Sequence, residues 1–227
     1  MMVLSSVIND NFTMQKPKLI IFSSGTKTGG GSGFENLVKA QKSGALLADI
    51  VAVVSNHENG GVREKADRLG VPFLLFQGPF EENDYQRIVQ DSGAEWVALS
   101  GWLKLISGLD PARTFNIHPA PLPRFGGQGM YGRFVHEAVL EAFHRGEVTH
   151  SAVTMHFVTP AYDEGPVFFR FPVEILADDT TETLGLRVNK VEHQWQPKIT
   201  SMVVNGEISW DGKNRESLRA PDNYKFL

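Results

Sequence analysis

The sequence of 227 residues contains no cysteine. This excludes disulfide bonds and zinc sites built on thiolates, and it is compatible with a reducing compartment, so we expect the cytoplasm. An excess of positive charge is also lacking, because 22 basic and 26 acidic side chains give a formal net charge of -4. The chain therefore has no overall basic field of the kind that draws proteins to nucleic acid or anionic membranes.

Long apolar runs are missing as well. No run approaches the roughly 20 residues that cross a bilayer, so we expect no membrane association. Residues 1–15 carry no basic side chain, and Asn9-Asp10-Asn11 interrupts their apolar positions, which does not fit a signal peptide. We interpret residues 1–17 as an N-terminal extension, mostly disordered or loosely packed, and residues 18–227 as a single domain.

Metal sites are not predicted either. His57, His136, His144 and His150 lack ligand-like spacing with carboxylates, and we interpret all four as surface residues.

The sequence does contain short apolar runs that alternate with helical segments. Runs that begin near residues 18, 49, 71, 96 and 115 have the length of buried strands. This alternation predicts a Rossmann-like α/β fold, with a mostly parallel sheet flanked by helices. Later, residues 151–158 and 167–173 predict an antiparallel pair and residues 180–198 a helix. Asn205-Gly206 predicts the turn of a final β-hairpin built from residues 202–210.

One stretch, residues 115–123, combines a strand with groups suited to proton transfer. Side chains alternate along a strand, so Asn116 and His118 project together while Phe115 and Ile117 face the core. The prolines that follow end the strand, at the edge where open α/β sheets bind ligands. A carboxamide can donate to an oxygen that gains negative charge, and an imidazole can move a proton. Together the two groups could assist the attack of a nucleophile on a carbonyl carbon. The alternative is that Asn116 closes a turn and His118 is a hydrogen-bonded histidine at the end of a strand.

A carboxylate that could complete this group lies between the two late strands. Asp163 stands in the segment 159–166, and such a loop can carry it over the sheet edge toward His118. A carboxylate within reach of an imidazole raises its pKa and fixes its orientation, and it can also hold a relaying water. Ordinary turn chemistry is the alternative explanation for an aspartate here.

A glycine-rich segment, residues 23–33, joins the first strand to the first helix. The N–H groups and the dipole of a helix start favour a phosphate, so strand, turn and helix together predict an anion site. The spacing matches neither the dinucleotide fingerprint nor the lysine-containing phosphate loop. A flexible glycine linker is the alternative.

Two motifs resemble those of the folate-dependent formyltransferases. They are residues 116–119, NIHP, and residues 156–166, HFVTPAYDEGP, and the resemblance extends over about residues 18–204. It implies the formyltransferase fold and 10-formyltetrahydrofolate as co-substrate. Within the family, the chain is most similar to members that formylate the amine of glycinamide ribonucleotide in de novo purine (IMP) biosynthesis. The implied substrates are small molecules, and the resemblance leaves the oligomeric state open, a homodimer included.

The resemblance also implies roles for single residues. Asn116 would donate to the formyl oxygen as a tetrahedral centre forms. His118 would transfer the proton, and Asp163 would support the charged imidazole and a water relay. His156 would stand near the site.

The implied binding residues divide into two groups. We divide the domain into a nucleotide- and phosphate-binding half, residues 18–118, and a folate-binding and active-site half, residues 119–210. The residues implied to bind glycinamide ribonucleotide are Gly31, Ser32, Gly33 and Glu192. Those implied to bind folate are Leu103, Lys104, Leu105, Ile106, Thr159, Pro160, Ala161 and Tyr162.

The chain departs from the family pattern in places, and other activities stay open. Gly33 stands where an asparagine is usual, and the glycine turn is longer than usual. Relatives that act on initiator methionyl-tRNA carry an added basic domain, and deformylases carry an N-terminal regulatory domain. The 23 residues after Val204 and the 17 before Lys18 lead us to expect neither. Sugar-nucleotide formyltransferases and a non-catalytic nucleotide-binding module remain alternatives.

Overall fold

The computed structural model describes residues 15–227, so most of the predicted N-terminal extension lies outside the described residues. Within that range the strands are β1 Lys18–Phe22, β2 Asp49–Ser55, β3 Phe73–Leu75, β4 Trp96–Leu99, β5 Thr114–His118, β6 His150–Phe157 and β7 Val167–Glu174. The helices are α1 Ser32–Ser43, α2 Gly61–Leu69, α3 Glu82–Ser92, α4 Gly132–His144 and α5 Thr181–Val204. A short 3₁₀ helix follows at Arg215–Ser217.

The strands form one sheet in the order β3-β2-β1-β4-β5-β6-β7. Strands β1 to β5 are parallel, whereas β6 and β7 are antiparallel to their neighbours. The prediction of a mostly parallel sheet with an antiparallel C-terminal part is therefore confirmed. The strand order reverses between β1 and β4, and such a switch point opens a crevice at the carboxyl ends of the strands.

The unbroken apolar run of β1 is explained by its burial on both faces. Leu19 and Ile21 join the cluster that contains α1, α4 and α5, while Ile20 and Phe22 pack with Tyr85 of α3. Burying one such side chain stabilises the fold by about 1.5–3 kcal/mol. Two-sided packing fixes the sheet edge from which the loops of the site extend.

The predicted C-terminal hairpin is wrong. Residues 202–204 continue α5, and Asn205-Gly206 ends that helix. Gly206 has φ +79°, and its N–H donates to the Val203 carbonyl. A glycine with positive φ suits a helix end as well as a hairpin turn, so the dipeptide alone does not separate the two. Of the residues beyond, Ser209 forms only an isolated bridge with Arg219.

The described range contains no candidate for a membrane-spanning helix. None of the helices of residues 15–227 combines the length and apolarity needed to cross a membrane.

Candidate active site

A cavity of about 730 Å³ opens at the carboxyl ends of β1, β4 and β5. Every residue to which the sequence assigned a role lines this cavity, with the exception of Pro160. Pro160 borders a smaller hollow of about 30 Å³ beside it, together with Ser107 and Leu109. The structure thus brings the predicted residues to one place, and their individual roles remain predictions.

The two polar side chains of β5 occupy the positions that alternation predicts. Asn116 pairs in register with His156 of β6, and His118 pairs with Thr154. Phe115 and Ile117, which alternate with these two along the strand, are buried in the core. The strand therefore presents an amide and an imidazole on the same side, toward the cavity.

His118 is oriented by a backbone carbonyl. Its Nε2 lies 2.7 Å from the Phe125 oxygen, and because a carbonyl only accepts, Nε2 carries the proton of the neutral ring. Nδ1 then holds the lone pair and lies 3.7 Å from Oδ2 of Asp163. Burial lowers the pKa of His118 below its usual value, although Asp163 and the Phe125 carbonyl act in the opposite direction. Asp163 raises the pKa of His118 as expected, but burial outweighs this effect, and the nearer orienting partner is the Phe125 carbonyl, at 2.7 Å against 3.7 Å.

Asp163 has an unusual backbone conformation, and its carboxylate accepts from two donors. Its φ of +57° is the only positive value of a non-glycine residue in the described range. Gly127 N–H donates to Oδ2 at 3.0 Å, and Asn116 Nδ2 lies 3.4 Å from Oδ1. Burial pushes the pKa of Asp163 up, but the His156 ring 3.3 Å from Oδ1, the His118 ring and the Gly127 N–H outweigh it and hold the pKa below its usual value. The side chain is therefore an ionised acceptor near neutral pH.

Asn116 already has partners for its amide protons. Nδ1 of His156 lies 2.8 Å from the Phe157 carbonyl and is the donor there, so Nε2 of the neutral ring accepts. The Asn116 Nδ2 lies 3.1 Å from that Nε2, besides its longer contact with Asp163. Donation to a substrate oxygen thus requires Asn116 to exchange one partner, and the 3.4 Å contact is the weaker of the two.

The loop of residues 124–132 holds two catalytic candidates through backbone groups, which sequence reasoning missed. Phe125 supplies the carbonyl for His118, and Gly127 supplies the N–H for Asp163. At Gly126 an added Cβ would lie 2.6 Å from a Leu122 methyl and 2.9 Å from Asp163 Cβ. The sequence did contain a signal for this loop, namely the adjacent Gly126 and Gly127 shortly after the proline-rich segment that ends β5.

Another part of the cavity wall consists of the start of α1 and one face of α5. Gly31, at φ +74°, precedes the helix, and no side chain caps its first turn. Of α5, the residues three or four apart that line the cavity are Gly185, Asn189, Glu192 and Gln196. Burial raises the pKa of Glu192 to about 7, against the effect of the Asn189 amide, whose nitrogen lies 3.1 Å away. Sequence reasoning found only Glu192 on this face.

The predicted folate segment is held from behind by aromatic residues. The Tyr85 hydroxyl donates to the Leu105 carbonyl at 2.9 Å and accepts from Trp102 Nε1 at 3.2 Å. The side chains of Leu103 and Leu105 are about two-fifths exposed, at 42% and 41%. The segment therefore presents apolar side chains on a fixed backbone at the cavity wall.

Comparisons with known proteins agree with this geometry. The formyl transferase family matches residues 18–200. The chain belongs to the formyl transferase family. A chloroplastic phosphoribosylglycinamide formyltransferase of Arabidopsis thaliana is 33% identical over an alignment 239 residues long, which covers 98% of this chain and 78% of that protein. The resemblance drawn from the two motifs is thereby confirmed.

Solved structures share the formyl transferase fold. Glycinamide ribonucleotide transformylase 1 from Symbiobacterium toebii superposes with a TM-score of 0.79 at 26% identity, covering 96% of this chain and all of that one. A formyltetrahydrofolate deformylase from Pseudomonas syringae superposes with a TM-score of 0.70 at 21% identity, covering 86% of this chain and 63% of that one. The second likeness concerns the fold alone, so the fold does not select the acceptor.

One prediction about this formyl transferase was wrong, because His136 is not a surface residue. It is 8% exposed, lines the cavity and lies beside Gly185, where an added Cβ would approach its ring to 3.1 Å. Its Nδ1 has no hydrogen-bond partner among the described residues. Burial lowers the pKa of His136 to about 4, and His118 adds to the effect. The ring is therefore neutral near pH 7.

This buried neutral ring predicts a loss of stability in mild acid. The unfolded imidazole binds a proton below pH about 6.5, whereas the folded one does so only near pH 4, so stability falls as the pH falls through this window. For His136 alone the slope is about 1.4 kcal/mol per pH unit. Urea unfolding at pH 7 and pH 5 should show a smaller pH dependence for His136→Gln than for wild type. The exposed His144→Gln is the control, and equal slopes in all three proteins would contradict the prediction.

Within residues 15–227 no group of three or more His, Asp or Glu side chains has the arrangement of a metal site.

Proposed function

We propose that this formyl transferase moves the formyl group of 10-formyltetrahydrofolate to the amine of glycinamide ribonucleotide in purine biosynthesis. The observation that carries the proposal is the convergence of Asn116, His118 and Asp163 on a cavity that also contains a helix start and Glu192. The Arabidopsis and Symbiobacterium relatives are named for the same acceptor. The side chains of His118 and Asp163 can take the proton of an attacking amine, and the start of α1 can bind a phosphate.

His118 is the proposed proton acceptor. Its lowered pKa keeps the ring neutral, and its Nδ1 lone pair faces the cavity side occupied by Asp163. When the attacking amine loses its proton to Nδ1, the imidazolium that results faces an ionised carboxylate. A positioned acid or base of this kind contributes about 10²–10⁴-fold in rate. Asp163 also offers an acceptor for a water, through which the proton passes from the imidazolium to the folate nitrogen, and that nitrogen leaves as its bond to the formyl carbon breaks.

Asn116 is the proposed donor to the formyl oxygen. As the amine attacks, that oxygen gains negative charge, and an amide N–H directed at it stabilises the charge. Such a donor is worth about 10²–10³-fold. The substrate oxygen replaces Asp163 as partner, because that 3.4 Å contact is the weaker one, while His156 continues to hold the second N–H.

The two substrates are assigned to different parts of the cavity wall. The start of α1, with Gly31, Ser32 and Gly33, is the proposed phosphate site because its N–H groups and dipole favour an anion. Glu192, whose pKa lies near 7, is the proposed partner of the hydroxyl or amine groups of the ribonucleotide. The apolar side chains and fixed backbone of residues 103–106 suit a flat heterocycle, and we assign the folate there and at residues 159–162.

An assay of formyl acceptors tests the proposal. Purified protein should consume 10-formyltetrahydrofolate only when glycinamide ribonucleotide is present, with formation of the formylated ribonucleotide in equal amount. Consumption with water alone would identify a deformylase, and consumption with an amino-sugar nucleotide would identify a different acceptor. Binding of both compounds without turnover would favour a nucleotide-binding module.

We further propose that the enzyme acts on small molecules in the cytoplasm, without nucleic acid, and that a homodimer is the assembly to test for. The absence of cysteine supports a reducing compartment such as the cytoplasm, and the negative net charge supports the absence of a nucleic-acid partner. Cell fractionation tests the location. Sedimentation equilibrium of the purified protein tests whether it forms a homodimer. The Arabidopsis relative carries the word chloroplastic in its name, so a plastid is the alternative to exclude.

A further inference from the structure

Gln196 is a buried carboxamide that the proposed reaction does not use. It lies on α5, one helical turn beyond Glu192, and is 2% exposed. Its Nε2 donates to the Ser100 hydroxyl at 3.1 Å, but its Oε1 has no hydrogen-bond partner among the described residues. Buried polar atoms of proteins are nearly always paired, so an unpaired one needs an explanation. Gln196 and Ser100 both line the cavity.

The unpaired end of this amide lies against the first turn of α1. A Cβ added at Gly33 would stand 2.2 Å from Ser100 Oγ and 3.2 Å from Gln196 Oε1. Any side chain at Gly33 would therefore collide with the pair, which occupies the space beside the helix start. The amide thus borders the part of the cavity where the uncapped N–H groups of α1 favour an anion.

The Gln196–Ser100 pair can present either a donor or an acceptor to that space. A carboxamide keeps its shape when it turns by half a revolution about its last bond, which exchanges oxygen and nitrogen. A serine hydroxyl can both donate and accept, so Ser100 remains paired in either orientation. In the turned orientation Ser100 O–H donates to Gln196 oxygen, and the unpaired position becomes an N–H donor.

We propose that Gln196 is a binding residue for the phosphate of the acceptor substrate. Its carboxamide turns its N–H group to a phosphomonoester oxygen at the start of α1, and Ser100 fixes the amide in that orientation. The pair thereby supplies a side-chain donor that Gly33 cannot supply. This inference rests on the proposed function, because it places the phosphate of the ribonucleotide beside α1.

Two variants of Gln196 test the inference. Q196E cannot donate when ionised and adds negative charge, and Q196M removes the donor while it keeps the length of the side chain. A hydrogen bond to a charged group corresponds to about tenfold or more in affinity. We expect both variants to raise KM for glycinamide ribonucleotide by about tenfold or more, with Q196E the stronger, while KM for 10-formyltetrahydrofolate and kcat stay within about twofold.

Gln194→Glu provides the matched control. Gln194 is exposed on the same helix and does not line the cavity, so the same change of charge there should leave both KM values unchanged. Equal increases of KM for both substrates in Q196E and Q196M would show a structural role and overturn the inference.

Binding of ribose 5-phosphate, measured by calorimetry, separates the inference from the proposed function. Wild type and Gln194→Glu should bind this probe, and Q196E and Q196M should bind it about tenfold or more weakly. The same weakening without turnover of glycinamide ribonucleotide would support the phosphate site and contradict the proposed acceptor. Unchanged binding in both Gln196 variants would contradict the phosphate site, whatever the acceptor.

Discussion

Replacing His118 with alanine is expected to lower kcat by about 10²–10⁴-fold while 10-formyltetrahydrofolate still binds. The variant removes the Nδ1 lone pair that accepts the proton of the attacking amine. It leaves the apolar wall of residues 103–106, to which we assign the folate, in place. Steady-state kinetics with glycinamide ribonucleotide give kcat, and fluorescence titration gives the dissociation constant of the folate.

Controls separate the chemistry of His118 from its packing. His150→Ala removes an exposed histidine at the start of β6 and should leave kcat unchanged. Because alanine leaves room where the buried ring stood, added imidazole should restore part of the activity of His118→Ala. Wild-type turnover in the variant would remove His118 from the mechanism, and a parallel loss of folate binding would indicate damage to the fold.

The relative position of these groups was predictable where it follows from the geometry of a single strand. Alternation along β5 placed Asn116 and His118 on one side, and the prolines that end the strand placed them at the carboxyl edge of the sheet. The loop from β6 to β7 carried Asp163 back to them, as its place between two antiparallel strands suggested. These relations depend on the period of a strand and on short connections, which the residue pattern contains.

Other features depend on contacts that residue types do not encode. The groups that orient His118 and Asp163 are a carbonyl and an N–H of the main chain, and any residue could supply them. Asn205-Gly206 suits both a hairpin and a helix end, and only the packing of α5 decides between them. His136 had a usable signal, because it precedes Val139 and Leu140 by three and four positions on the apolar stripe of α4.

The second large effect is expected for Asp163→Asn, with a fall of kcat by about 10²-fold or more. The carboxylate accepts from Gly127 N–H through Oδ2 and from Asn116 through Oδ1, and it faces Nδ1 of His118. An asparagine has one acceptor atom in place of two, so if its oxygen stays with Gly127 its NH₂ group meets the NH₂ group of Asn116. The imidazolium of His118 also loses the negative charge that stabilises it.

Asparagine is the informative replacement because it adopts positive φ more readily than most residues, so the backbone at φ +57° is retained. Alanine at this position would combine the loss of charge with backbone strain. Glu164→Gln makes the same change of charge one residue away, on an exposed side chain outside the cavity, and should leave kcat unchanged. If Asp163→Asn and Glu164→Gln turned over equally fast, neither the charge of Asp163 nor its second acceptor would take part in the reaction. His118 would then act with the Phe125 carbonyl as its sole orienting partner, and an imidazolium without a facing carboxylate would have to form in a buried site, which burial makes costly.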